Sequence, residues 1–499
     1  MESSHPRERA WATRQQVGLV AGVAVFVVLW TLPAPTGMDE PAWATAAVGL
    51  LMAIWWMTEA LPIAATSLLP LLLLPLLGVT PISGAAAPYA NPLIFLFLGG
   101  FLIALAMERS GLHRRLALSI IRRVGTAPNR IVFGFMVAAA FLSMWISNTA
   151  TAMMMLPIGI SVSALVRRQS TEGLPDDDGG GTRNISLCLL LGIAYGCSLG
   201  GMATLVGTPT NALLVAFVAE SFQKELSFAS WMTVALPLSA VGIVVVFVVL
   251  TRFVYPIRIR SLPGGRALID GELAKLGPLS RAERRVAWIF ALTAGLWISR
   301  PLLQDVLPGR MGELASNLSD PGIAILGALL LFALPLDWKR GTFALAWGDT
   351  ARLPWGVLLL FGGGLSLAQA TKDTGLAEAI GGGLSGFSGW PPLLVTLAAV
   401  AMIILLTELT SNTATIAAFL PVLAALAQVL GREPLELLVP ATLAASCAFM
   451  LPVATPPNAI IYGSGELTVP QMARAGVWLN VIFALLLTLL AGLTGGVAG

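Results

Sequence analysis

Charged residues make up only 11% of this 499-residue chain, where a soluble domain carries about 25%. With 57% hydrophobic residues and a mean hydropathy of +0.84, the chain cannot cover a water-facing globule, which excludes the soluble classes and places it in a bilayer. Histidine is nearly absent: His5 and His113 both lie in basic stretches. The three cysteines, Cys188, Cys197 and Cys447, sit in apolar segments without metal-ligand spacing or a CxxC pair, and read as small buried hydrophobes. These shortages argue against histidine or metal chemistry, and against an enzyme built on an activated nucleophile in the membrane. No cofactor is implied. Nothing interleaves bases with aromatics as a nucleic-acid groove would, so no nucleic-acid partner is expected.

Long apolar runs are what the sequence has in abundance. Val17–Pro33, Ala42–Met57, Leu61–Leu77, Leu93–Met107, Phe228–Leu250, Val286–Ile298, Ile323–Leu334 and Val477–Leu493 are each long enough, with their flanks, to cross hydrocarbon. Backbone in lipid must bond to itself, so these runs are expected to be helices. No small-residue cleavage site precedes the second run, and the first reads as a retained helix. Most of the 29 Lys and Arg residues fall on one side when the N-terminus is cytoplasmic. Arg7, Arg9 and Arg14 precede the first run; Arg109, Arg114, Arg115, Arg122, Arg123 and Arg130 follow the fourth; a further group lies between Arg252 and Arg285. The resulting expectation is a multi-pass protein of the cell's inner membrane, with the N-terminus cytoplasmic and the C-terminus outside.

One small polar cluster occurs twice, as MWISNTATAMMMLP (144–157) and ELTSNTATIAAFLP (408–421). The same offset aligns FLGGFLIALAMERSGL (97–112) with FGGGLSLAQATKDTGL (361–376), and VGTPTNAL (206–213) resembles VATPPNAI (453–460). Two duplicated units are the economical reading. Each copy of the cluster divides an apolar stretch into segments too short to be ordinary spans, and basic residues (Arg130; Arg167 and Arg168) stand at both outer ends of the first. A re-entrant hairpin with Ser147-Asn148-Thr149 at its tip fits; non-helical backbone at depth is tolerated where it is buried or lines a cavity. Five crossings separate the two hairpins, an odd number, so the units are expected to be inverted. Pro209, Pro456 and Pro457 interrupt the stretches 185–218 and 438–462, making each a broken helix. The expected organisation is a tail and first helix (1–41), a first inverted repeat (42–260; hairpin 128–168, broken helix 185–218), a cytoplasmic linker (261–285) and a second repeat (286–499; hairpin 391–430, broken helix 438–462). The insert 167–184, with Asp176 to Asp178, reads as a solvent-exposed loop.

A helix that restarts after a tip offers unpaired amides and a positive dipole end, which favour an anion. The tips and breaks carry no Arg, Lys or His, so positive charge must come from elsewhere. Hydroxyl, amide and carbonyl oxygens suit a small hard cation, and Ser143 and Thr407 repeat one helical turn before the motif serines. A cation site on each side of an anion follows. Taken singly, Ser and Thr are common interhelical donors, and Gly99-Gly100 and Gly362-Gly363-Gly364 read as packing contacts. Glu59 and Glu408 show no partner in the sequence, and as ionisable residues near apolar segments they are candidates for a proton or cation role.

SNTAT with its following LP, the TPTN and TPPN breaks, and WWMTEALPIAATSLLPLLLLPLLG (55–78) resemble the divalent-anion/sodium symporter family. The resemblance implies an all-α polytopic fold with eleven spans plus two hairpins, a homodimer with a scaffold and a moving transport domain, and an elevator-type motion. By that resemblance one sodium site uses Ser143, Ser147, Asn148 and the Gly207 backbone, and the other Thr407, Ser411, Asn412 and Ala454. Substrate carboxylates would meet Asn148, Thr149, Thr208, Pro209, Asn412, Thr413, Thr455 and Pro456. Sodium, a small dicarboxylate such as succinate or malate and the bilayer are the partners implied. Thr210 departs from the second break's proline and adds a hydroxyl. A sodium-independent exchanger, a symporter of citrate or sulfate, and a channel are the alternatives; lack of a basic group at tips or breaks favours symport.

Overall fold

The computed structural model describes residues 13–494 except 37, 126, 172–180, 260–263, 307 and 388. Arg7, Arg9, His5, half of the polar insert and the start of the linker therefore lie outside the described residues. The described chain is almost wholly helical. Two helices, α1 (Thr13–Thr31) and α2 (Glu40–Thr58), precede a run of seven: α3 (Pro92–Ser110), α4 (Leu112–Val124), α5 (Pro128–Ser143), α6 (Asn148–Thr171), α7 (Gly181–Met202), α8 (Pro209–Phe222) and α9 (Phe228–Val248). After α10 (Arg281–Val306) and α11 (Asp320–Ala333) the same series recurs as α12 (Trp355–Asp373), α13 (Leu376–Gly383), α14 (Pro392–Thr407), α15 (Asn412–Val429), α16 (Leu435–Ala444), α17 (Pro456–Gly463) and α18 (Val469–Thr494).

Local chemistry sets these boundaries. Proline opens α3, α5, α8, α14 and α17, where its missing N–H is harmless and its fixed φ suits a helix start. Gly111 follows α3 directly and Gly375 follows α12 after Thr374, with φ of 78° and 73°, and the next helix starts immediately after each. Asn91, Ser227, Ser319 and Thr455 cap the helices that follow them with side-chain oxygens.

Packing crosses between the units in matched pairs. α6 lies against α17 and α15 against α8; α7 touches α17 and α16 touches α8. From Ile185 to Met202 every residue of α7 is buried. Its glycines let it approach α5 closely: a β-carbon at Gly200 would stand 2.1 Å from the Ala140 carbonyl oxygen. The paired glycines of α3 and α12 are packing contacts too, with Gly99 against the Ala324 backbone of α11 and Gly363 against the Ser67 carbonyl. Outward faces are apolar, as Val20 of α1 and Leu489 of α18 show at about 70% exposure, and suit lipid.

The all-α polytopic reading holds, with local differences. Among the described residues nine helices are long and apolar enough to span a membrane, or ten if the Gly309–Asn317 and Asp320–Ala333 helices, bent by 90°, count as one. Eleven were implied; the nine include the hairpin arms Asn148–Arg168 and Asn412–Val429 and the broken half Gly181–Met202, whereas the arms Pro128–Ser143 and Pro392–Thr407 and the halves Pro209–Phe222 and Leu435–Ala444 are too short to count. The run 61–77 is not one span. It divides into Ile63–Thr66 and Leu69–Leu76 around Ser67: Pro70 lacks the N–H that would bond the Thr66 carbonyl, and the hydroxyl of Tyr89 bonds the Ser67 carbonyl. In the polar stretch after α9 a helix forms at Gly265–Lys275 and packs on α4. Arg115 of α4 ties this region down, with Nε 2.6 Å from Glu283 and NH1 donating to the Gly277 carbonyl at 3.0 Å. Lys275, opposed by burial and aided by Arg114, holds the Glu272 carboxyl below its usual range. A two-stranded antiparallel ribbon, Pro335–Asp337 with Thr342–Phe343, also went unforeseen.

Candidate functional site

Both hairpin tips have the same backbone course. α5 and α14 end on Ser143 and Thr407, a short turn follows, and α6 and α15 restart on Asn148 and Asn412. Within each tip the hydroxyl bonds the asparagine across the turn: Ser143 Oγ donates to Asn148 Oδ1 at 2.6 Å, and Thr407 Oγ1 donates to Asn412 Oδ1. Ser147 is exposed, and its Oγ accepts from the Ala150 N–H at 3.2 Å, a helix cap. Ser411 precedes α15 in extended conformation without a side-chain cap bond. Asn148, Thr149, Ser411, Asn412 and Thr413 are half-buried, while Ser143 and Thr407 are fully buried.

The breaks come up against the tips. Gly201, at the end of α7, faces Asn148 so closely that a β-carbon there would lie 2.6 Å from Oδ1; Gly207 in turn faces the Gly201 carbonyl oxygen at 2.4 Å by the same measure. Ser143, Asn148, Gly201 and Gly207 thus form one contiguous set. In the second unit Thr407 Oγ1 lies 3.1 Å from the Ala445 carbonyl oxygen, where α16 has just ended. Ala454 and Thr455 are buried and Pro456 exposed; Thr208 is buried and Pro209 half-buried. Thr208 and Thr455 occupy the same extended position, with φ of −144° and −139°, immediately before the post-break helices. Thr210 is buried, its hydroxyl 3.4 Å from that of Thr208.

Three side chains that hold the breaks were not singled out from the sequence. Asn211 donates through Nδ2 to the carbonyls of Met202 (3.1 Å) and Thr204 (2.8 Å), and Asn458 donates to those of Ala448 and Leu451, both at 3.1 Å. Each satisfies carbonyls that the broken helix released. Their signal was present, since both close the repeated TPTN and TPPN. Tyr195 joins the units: its hydroxyl donates to the Phe449 carbonyl at 2.7 Å. Glu408, which lacked a partner in the sequence, has four donors around it. Glu59 ends α2 in a left-handed conformation (φ 51°) and lies 3.7 Å from Arg14, which also donates to the Leu409 carbonyl. A cavity of about 500 Å³ bordered by Asn91, Glu220, Ser366 and Asp373 touches none of the tip residues.

Two clusters of oxygen ligands, each joining a tip to a break, have no basic side chain among them, Arg14 reaching only the Leu409 carbonyl of the second tip, and can bind cations and, at the helix starts, anion oxygens. Comparisons with known proteins agree in scale. A sequence model described as the sodium:sulfate symporter transmembrane region matches residues 13–497. Sodium-dependent dicarboxylate transporters SdcS from Staphylococcus aureus strains MRSA252 and COL are each 40% identical over 488 residues, covering 98% of this chain and 92% of theirs. Among solved structures, the Alcanivorax borkumensis YdaH transporter superposes with a TM-score of 0.59 at 13% identity, covering 97% of this chain and 98% of its own. Neisseria gonorrhoeae MtrF superposes at 0.58 and 13%, covering 97% and 95%. At that identity the last two speak to the fold alone. With the family model spanning nearly the whole chain, the protein belongs to the sodium:sulfate symporter family, whose members are membrane transporters and not enzymes.

Proposed function

We propose that the chain is a sodium-coupled symporter that imports a C4-dicarboxylate such as succinate or malate. The observation that carries this reading is the duplicated hydroxyl–asparagine pair, Ser143 with Asn148 and Thr407 with Asn412, beside broken backbone in a site without a basic group. One sodium ion takes Ser143, Ser147, Asn148 and the Gly207 backbone; the other takes Thr407, Ser411, Asn412 and the Ala454 backbone. Asn148, Thr149, Thr208, Pro209, Asn412, Thr413, Thr455 and Pro456 receive the dianion between them. A dianion in such a site needs compensation from helix ends and co-bound cations, which makes its affinity depend on sodium. The 40% identity to sodium-dependent dicarboxylate transporters supports carrying that substrate class over.

In this reading the repeats are inverted in the membrane, and alternating access follows an elevator-type displacement of hairpins and broken helices. The protein works as a homodimer in the inner membrane, with the N-terminus cytoplasmic and the C-terminus outside. Uptake of succinate, malate, citrate and sulfate into proteoliposomes, with and without an inward sodium gradient, tests it. Sodium-dependent accumulation of succinate or malate is expected. Sodium-independent counterflow would replace symport by exchange, and a preference for sulfate would overturn the substrate class.

A further inference from the structure

The two tips are near copies, but the residue after each hydroxyl differs: Met144 follows Ser143, and Glu408 follows Thr407. At the first tip the Met144 carbonyl accepts from the Thr204 hydroxyl. At the second, the Glu408 carboxylate is 3% exposed and collects four donors. Oε1 accepts from the N–H groups of Phe449 and Met450, both at 2.9 Å, and from Asn480 Nδ2 at 2.7 Å; Oε2 accepts from the Leu451 N–H at 2.9 Å. A carboxylate surrounded by donors serves as an acceptor, the role of its charged form. The breaks differ to match. α7 stays helical to Met202, whereas α16 stops at Ala444, well before Phe449, the counterpart of Met202. The amides thereby released are the ones Glu408 holds. The other edge of the same segment is pinned by Asn458 on the Ala448 carbonyl and by Tyr195 on that of Phe449.

We infer that Glu408 is a positioning residue for the second cation site, and that its buried negative charge makes that site the tighter of the two. This rests on the sodium-symport reading. Glu408 adjoins Thr407, whose hydroxyl bonds Asn412, and it holds Leu451, whose carbonyl accepts the Ala454 N–H at 3.2 Å. One side chain therefore ties the hydroxyl end of the site to its backbone end. The negative charge that Glu408 brings to the second unit, in a medium less polar than water, attracts a cation where Met144 offers nothing.

Sodium-dependent thermal stabilisation of the purified protein, with choline as the control, measures the effect before transport is considered. Ser143→Ala is expected to keep the tight sodium response and Thr407→Ala to lose it. Glu408→Gln is expected to raise the sodium needed for half-maximal uptake at least tenfold, about 1.4 kcal/mol, while succinate half-saturation at saturating sodium stays within about twofold. Equal weakening by Ser143→Ala and Thr407→Ala, or a Glu408→Gln effect confined to succinate, would overturn the inference. If Glu408→Gln fails to fold, the Ser143/Thr407 comparison decides alone. A wild-type protein indifferent to sodium would instead refute the symport reading, so the two failures are distinct.

Discussion

Replacing Gly201 by alanine puts one methyl group between the first tip and the first break. The new β-carbon would lie 2.6 Å from Asn148 Oδ1, 3.0 Å from Nδ2 and 3.2 Å from Cγ, and ordinary contact begins near 3.4 Å. The amide must withdraw by 3.4 − 2.6 = 0.8 Å. Retreat on that scale breaks the 2.6 Å bond to Ser143, a net loss of about 0.5–1.5 kcal/mol, and overpacking adds about 1–3 kcal/mol. Asn148 is also a proposed sodium ligand, and ion ligation tolerates about ±0.2 Å. The sodium concentration for half-maximal uptake is expected to rise between about tenfold and a thousandfold, since each 1.4 kcal/mol is tenfold. Gly364→Ala is the control, because its β-carbon meets only Leu213 at an ordinary 3.6 Å; uptake should stay within about twofold of wild type, as for surface-like changes of ±0.5 kcal/mol. Sodium-titrated uptake in proteoliposomes reads both variants. A Gly201→Ala protein with a wild-type sodium curve would refute the assignment of Asn148 to the cation site.

Asn211→Ala and Asn458→Ala each strand buried carbonyls, at about 1–3 kcal/mol per unsatisfied group, and should lower the unfolding temperature in detergent even without sodium. Asp320→Ala removes the partner of Arg300 (3.0 Å) and of the Phe228 N–H (2.7 Å); loss of one member of a buried pair costs about 3–5 kcal/mol, seen as poor thermal stability with little change in sodium half-saturation of the surviving protein. We propose that a third sodium ion accompanies the two at the tips; an inside-negative potassium/valinomycin potential should then accelerate uptake, because the net charge moved is worth about 2.3 kcal/mol per 100 mV, and indifference to potential would mean electroneutral coupling by the two tip sites alone. A cysteine near Asp177, in the insert outside the described residues, should be labelled from the cytoplasm and one near Arg432 from outside; labelling from the same face would refute the inversion.

Duplication made the tips legible. Ser143 to Thr149 and Thr407 to Thr413 could be read because each copy vouched for the other, and proline marked where helices had to stop. What stayed hidden were the partners supplied from far along the chain. Glu408 meets amides near residue 450 that exist as free donors only because α16 unwinds early, and local propensity does not report that. Ser67 interrupts an apolar run because Tyr89 and Gly363 come to its carbonyl, again from elsewhere. Asn211 and Asn458 were visible as letters of a repeated motif, but their work on released carbonyls requires the geometry of the break.

Differences between the two units concentrate in what supports the ligands, and this has a physical basis. Ligands must present the same oxygens to the same ion, which leaves few choices beyond Ser, Thr and Asn. Supports need only satisfy released backbone groups and fill space, and many side chains can do that. At the first tip Trp145 stacks on Phe228 at 6.0 Å and meets Phe290 edge-on at 5.0 Å, so that tip leans on α9 and α10. Its counterpart Leu409 is exposed, and its carbonyl accepts from Arg14 of α1 at 3.0 Å. One tip is thus braced by uncharged aromatic rings, and the other is flanked by a buried carboxylate and a half-exposed guanidinium. On the proposed cation assignment, matched ligands on unequal supports are expected to give unequal cation affinities, a difference that the sequence identity between the tips would not suggest.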